Sequence, residues 1–131
     1  MNPTICFLSS SLSRSYIMFC MKMTVADMQQ RVDEYISQFK EGYFSPMTLV
    51  VRLAEELGEL AREVNHEYGE KPKKPSEEQG SIALELGDIM FVVVCLANRL
   101  NIDLENAFCA VMEKFETRDK HRWTRINEVE P

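Results

Sequence analysis

At 131 residues the chain has room for one domain around one core, and its 45% hydrophobic content is ordinary for a globular protein. A formal net charge of −6 argues against a nucleic-acid-binding surface, because phosphate backbones attract basic stripes and repel acidic ones. The longest purely apolar run, Ile89 to Ala97, is nine residues, well short of the ~20 that a helix needs to cross a bilayer, so no membrane partner is expected.

Residues 1 to 22 hold Ser9, Ser10, Ser11, Ser13 and Ser15 among scattered apolar residues, with no lysine or arginine before Arg14. This is a poor match to a secretory signal. Because Met18, Met21 and Met23 directly precede the first well-patterned segment, the stretch reads as a disordered tail or an over-extended start. The helical domain is expected over 23–126, with 127–131 as a C-terminal tail. Cys6, Cys20, Cys95 and Cys109 have no C-x-x-C spacing, and the last two sit in apolar helical patterns, which points to free thiols in a reducing, cytoplasmic setting.

Thr24 followed by Asp27 reads as a helix cap, and Met28, Val32, Tyr35, Ile36 and Phe39 continue at helical spacing until Gly42, so a first helix is predicted from about Val25 to Lys40. Ser45-Pro46 starts a second. Its apolar stripe is Leu49, Val50, Leu53, Leu57, Leu60, Ala61 and Val64, it ends near Tyr68-Gly69, and Arg52, Glu56, Glu59 and Glu63 run along one border of the stripe. Two prolines mark Glu70 to Pro75 as a loop, whose Lys71, Lys73 and Lys74 read as solvated. Ser76, with Glu77 and Glu78 behind it, is the expected cap of a third helix reaching Leu100. From Ile89 to Ala97 that helix is apolar on almost its whole circumference, the pattern of a helix buried on several sides. Asp103 caps a fourth, with Leu104, Ala107, Phe108, Val111 and Phe115 expected inward and Lys114 and Arg118 on the border. No segment alternates with period two, so the fold class is all-α: a four-helix bundle in which the second and third helices form an antiparallel hairpin. One chain leaves part of the third helix uncovered, so a homodimer or homotetramer is expected to complete the bundle.

The chemistry lies in a tetrapeptide written twice, Glu56-Leu57-Gly58-Glu59 and, after 25 intervening residues, Glu85-Leu86-Gly87-Asp88. Residues three apart share a helix face, so each copy points two repelling acids the same way. Each copy also carries a mid-helix glycine, costing ~1 kcal/mol relative to alanine, which reads as allowance for close approach of a second backbone. One such acidic pair usually means a solvated face. Its repetition, with Glu85 and Asp88 one turn ahead of the apolar run, places charge where an unpaired acid is expensive. Relief can come from a metal or from pairing with Arg52 or Lys114. Two helices contributing two acids each would make an oxygen-only cage suited to Mg²⁺ or Mn²⁺. Four acids allow either two metal sites or one site plus a free carboxylate base.

The pattern E-x-x-E, then E-x-x-D after the gap, with Glu55 ahead of the first copy, Ile89-Met90-Phe91 behind the second and Lys114-Phe115 with Arg118 further on, resembles the MazG-type nucleoside triphosphate pyrophosphohydrolases. The likeness covers about Val25 to Trp123. It implies that Glu56, Glu59, Glu85 and Asp88 bind Mg²⁺, that Glu55 neighbours the cluster, and that Lys114 and Arg118 meet the triphosphate. The implied reaction is water attack at the α-phosphorus of a (d)NTP, leaving the monophosphate and pyrophosphate, with Glu56 or Glu59 as base and Glu55 beside them. His66 and His121 form no E-x-x-H pair and read as surface residues, Asn98 as polar core, and Tyr43, Phe44 and Trp123 as structural aromatics or base-stacking groups. The other reading is a non-catalytic helical oligomer that keeps the acidic seam for assembly.

Overall fold

The computed structural model describes residues 23–76 and 80–126. Among these residues lie four helices: α1 (Val25–Ile36), α2 (Pro46–Tyr68), α3 (Ile82–Arg99) and α4 (Leu104–Arg118). There is no strand among the described residues. The expectations for residues 1–22 and 127–131 fall outside the described residues.

Three of the four helix starts follow directly from side-chain chemistry. Thr24 and Asp27 form a reciprocal capping box, each side chain accepting the other's backbone N–H, at 3.1 and 2.8 Å. The bond from the Thr24 backbone also holds the Asp27 carboxyl below the usual range. Ser45 accepts from the Thr48 N–H at 3.2 Å with Pro46 at the first helical position, and Asp103 accepts from the Asn106 N–H at 3.0 Å. Such caps contribute about 1 kcal/mol each. Two boundaries differ from expectation. The first helix stops at Ile36 and the chain continues in turns as far as Gly42, which takes φ 62°. The third begins at Ile82, not after Ser76, with an extended Ser81 that makes no side-chain cap bond.

α3 ends in a Schellman motif: Asn101 takes φ 54°, its N–H reaches the Asn98 carbonyl at 3.1 Å, and the Ile102 N–H reaches the Ala97 carbonyl at 2.8 Å. Asn98 is polar core as expected, donating to the Gln29 carbonyl and the Tyr43 hydroxyl and accepting from the Gln29 side chain. Gln29 in turn accepts from the Leu104 N–H at 2.9 Å, so one network fixes α1, the end of α3 and the start of α4.

α3 is the central helix, packed most extensively on α2 and next on α1. Glu63 lies near Gly80, Glu56 near Glu85, and Leu49 shares a cavity with Val92 and Cys95, so α2 and α3 are antiparallel. The buried apolar residues are Leu49, Val92, Val94, Cys95 and Ala97. Full burial of a Val or Leu side chain is worth about 1.5–3 kcal/mol. Much apolar surface remains outside this core: Val50, Leu57 and Val64 on α2, and Leu84, Leu86, Met90 and Phe91 on α3. The expectation for the fourth helix does not hold within one chain. α4 packs chiefly against α1 and buries no residue, leaving Ala107, Phe108, Val111 and Phe115 exposed.

Candidate functional site

α2 and α3 bring carboxylates together at the middle of their interface. Glu56, Glu59 and Glu85 each offer an oxygen, and these oxygens lie within 4.8 Å of one another. Glu56 and Glu85 are only 8% and 9% exposed, whereas Glu59 is exposed. The decisive detail is at Glu85, whose Oε2 is buried without any hydrogen-bond partner among the described residues. Burial, followed by the charges of Glu59, Asp88, Glu63 and Glu56, holds its carboxyl above the usual range.

Among the described residues no ion pair relieves this charge. Arg52 engages Glu55 at 3.0 Å and Glu56 at 2.9 Å, on the outer flank of the cluster. Its partner Glu55 is half exposed and stands beside the threesome. Asp88 is exposed and lies outside the converging trio, but shares a cavity of about 520 Å³ with Arg52 and Glu56. The chemistry of the donors fits a hard divalent cation: three carboxylates, no sulfur or nitrogen, and one buried oxygen lacking a donor.

The same cavity continues away from the acids into an aromatic wall of Tyr35, Phe39, Tyr43, Phe44 and Phe91. Tyr35 meets Phe39 and Phe91 edge to face, at centroid distances of 5.2 and 6.4 Å. Tyr43 donates to Asp33 at 2.9 Å and accepts from Asn98 at 3.0 Å; burial first, and the Asp33 carboxylate beside it, push its hydroxyl up to about 12 against the opposing effect of the Asn98 bond. Gly42, in the left-handed region, turns the chain so that Tyr43 and Phe44 reach the cavity. Of this wall only Tyr43 and Phe44 stand out in the sequence as base-stacking candidates. Tyr35, Phe39 and Phe91 read there as members of apolar stripes; Phe91 lies one turn from Asp88 on α3, and Tyr35 and Phe39 come beside the acids only by the packing of α1 and the segment after it.

Lys114 and Arg118 occupy α4, where Lys114 lies 5.5 Å from the Phe115 ring and Arg118 pairs with Asp119 at 3.2 Å. Trp123 is exposed, with the Arg122 guanidinium 5.5 Å from its ring. Two sequence expectations need correction. A Cβ added at Gly58 or Gly87 would meet nothing within 4 Å, so neither glycine serves close helix approach inside the chain. Lys73 is not simply solvated: its Nζ lies 3.0 Å from Glu63, which is 6% exposed.

A family model described as the MazG nucleotide pyrophosphohydrolase domain matches residues 44–123, which include both acidic motifs and the cations of α4. The chain belongs to the MazG nucleotide pyrophosphohydrolase family. Membership makes it a hydrolase acting on nucleotide pyrophosphate bonds. Among its relatives, YpjD of Bacillus subtilis strain 168 is 64% identical over 105 residues, spanning 80% of this chain and 95% of the relative. YvdC of the same organism is 30% identical over 105 residues, spanning 76% and 99%. The crystal structure of Bacillus subtilis YpjD superposes with a TM-score of 0.67 at 61% identity, covering 73% of this chain and 98% of that one. That of the Bacillus-conserved MazG protein, named as a nucleotide pyrophosphohydrolase, gives 0.64 at 61% identity, covering 74% and 94%. The all-α fold is thus shared with solved MazG proteins. No helix among the described residues is long and apolar enough to cross a membrane.

Proposed function

We propose that this chain hydrolyses nucleoside triphosphates, (d)NTP, to the monophosphate and pyrophosphate, with Mg²⁺ or Mn²⁺ as cofactor and the 23–126 helical domain as the working unit. The observation that carries this reading is Glu85, which offers an oxygen to the cluster with Glu56 and Glu59 and whose Oε2 is buried with no hydrogen-bond partner among the described residues. An oxygen left in that state costs about 1–3 kcal/mol, more for a charged group, and a bound cation removes the penalty. A triphosphate brings roughly four negative charges, which a bare carboxylate cluster repels, so a cation between the two is an electrostatic requirement.

Glu56, Glu59 and Glu85 would hold the ion, with Asp88 reaching it from the cavity side. Once bound, Mg²⁺ or Mn²⁺ supplies Lewis-acid polarisation of a phosphoryl oxygen and a lowered pKa for water. The remaining work falls to the chain. Glu59, exposed and free of the Arg52 pairing that restrains Glu56, is the better placed of the two to accept the proton of the attacking water. Glu55 orients Arg52, which in turn fixes the Glu56 carboxylate. The aromatic wall receives the nucleoside, and Lys114 and Arg118 meet the phosphates. A second copy of the chain, in a homodimer or homotetramer, covers the exposed apolar residues of α3 and α4. The free thiols of Cys95 and Cys109 fit a reducing, cytoplasmic setting.

Hydrolysis in ¹⁸O-labelled water tests the reaction. Attack at the α-phosphorus puts the label in the monophosphate and releases unlabelled pyrophosphate, and addition of EDTA stops turnover. Label in pyrophosphate, or inorganic phosphate as the first product, is incompatible with the proposed step.

A further inference from the structure

A fifth carboxylate extends the acidic seam, and no motif includes it. Glu63 sits four residues beyond Glu59 on α2, is 6% exposed, and is one of the acids whose charge raises Glu85. Its oxygens do not join the converging trio of Glu56, Glu59 and Glu85. Instead Lys73, from the α2–α3 connection, places its Nζ 3.0 Å from Oε2 and 3.3 Å from Oε1. The Lys73 side chain is only 23% exposed, and Arg62 adds a looser contact to Glu63 at 3.8 Å. Gly80, at the far end of the connection, lies so close that any side chain there would collide with the Glu63 carboxylate. The connection therefore closes over Glu63 from both of its ends.

Glu63, with the exposed Glu59 one turn before it on α2 and Glu85 feeling the charge of both, supplies the kind of acids a second divalent ion would need. The place is already taken by a cation of the chain's own. We propose that Lys73 is a fixed counter-ion: by neutralising Glu63 it reserves the inner end of the seam, so each chain binds one divalent cation, at Glu56, Glu59 and Glu85, and none between Glu63 and Glu85. Lys73 is thus a positioning residue that sets the number of ions and their affinity without touching substrate. This inference rests on the reading that the seam holds a divalent cation.

The test is a Mn²⁺ titration of the full chain followed by electron paramagnetic resonance, which counts bound ions independently of turnover. Wild type should bind one Mn²⁺ per chain. Lys73→Met leaves Glu63 without its ammonium and should bind two, with the first roughly tenfold tighter because a full charge has been unmasked nearby. Lys73→Gln gives the same readout should the methionine variant fail to fold. Lys73→Arg, and the double variant Lys73→Met with Glu63→Gln, should both return to one. Two ions in wild type, or an unchanged count and affinity in folded Lys73→Met and Lys73→Gln, overturn the inference. Glu85→Gln separates this from failure of the underlying reading: it should lose tight Mn²⁺ binding, and Mn²⁺ binding equal to wild type removes the proposed metal site and the inference with it.

Discussion

The α2–α3 hairpin and α4 begin from similar sequence material, an apolar stripe bordered by charge, and both leave apolar groups exposed, yet only the hairpin also buries acids. The hairpin buries acids, with Glu56, Glu63 and Glu85 at 8, 6 and 9% exposure. α4 leaves large apolar groups outside, with Phe108 at 63% and Phe115 at 49%. Each arrangement is unfavourable for an isolated chain. Buried acids need a counter-charge, and exposed aromatic rings at helical spacing need a covering surface. On the proposed reading a cation relieves the first and another copy of the chain covers the second, so ion binding and association divide between the buried acids and the exposed rings.

The strongest way to break this division is at its acidic end. Glu85→Gln should lower kcat by two to four orders of magnitude, because it removes a ligand from the cage with little change of shape. A kcat within tenfold of wild type in a steady-state pyrophosphate-release assay would take Glu85 out of the chemistry. At the apolar end, Phe108→Glu or Phe115→Glu should weaken self-association by at least a hundredfold in light scattering, while the Mn²⁺ affinity of the hairpin stays near wild type. If wild type is itself monomeric at micromolar concentration, the assembly half of the comparison fails.

A subtler effect is the pH dependence of the metal-free protein. Glu85 is held above its ordinary range, first by burial and then by Glu59, Asp88, Glu63 and Glu56. A folded-state value above the unfolded one of about 4.3 gives stability that is fully present below that pH and lost as pH rises through the raised value. In EDTA, the melting temperature of wild type should therefore fall relative to that of Glu85→Gln as pH rises above the ordinary glutamate value of about 4.3. Parallel melting curves above that value would show Glu85 to be unperturbed.

The smallest effect concerns the two motif glycines. With open space at both, Gly58→Ala and Gly87→Ala should each stabilise a single chain by up to ~1 kcal/mol in denaturant unfolding. Destabilisation of the assembled protein by either, alongside weaker association, would place that glycine against a second copy and extend the interface from α4 to the hairpin.

Much of the fold is legible in the sequence where the signal is local. Thr24, Ser45 and Asp103 cap as expected because a short oxygen-bearing side chain bonds an N–H three residues away and needs no distant partner. The start of α3 is not legible in this way. Ser76 ahead of two acids has the better local pattern, but the chain must first pass Gly80 against Glu63, a contact made across 17 positions of sequence. The convergence of Glu56, Glu59 and Glu85 follows from the repeated spacing and the short connection. The Lys73 and Glu63 pair does not, since a lysine in a proline-bounded loop carries no sign of which carboxylate it will meet. For α4, periodicity identifies the apolar face but not whether the same chain covers it. That choice depends on tertiary packing, which here leaves the face open.

The central claim, that the converging acids of the hairpin form a divalent-cation site, is tested most directly by thermal melts of wild type and Glu85→Gln in EDTA and in excess Mg²⁺. A ligand that binds only the folded state stabilises it by RT ln(1 + [L]/Kd), so wild type should gain several degrees with Mg²⁺ while the variant gains little. The variant should also melt at or above wild type in EDTA, because it lacks one of the mutually repelling charges. Equal Mg²⁺ shifts in the two proteins, or a variant clearly less stable than wild type in EDTA, would contradict the claim.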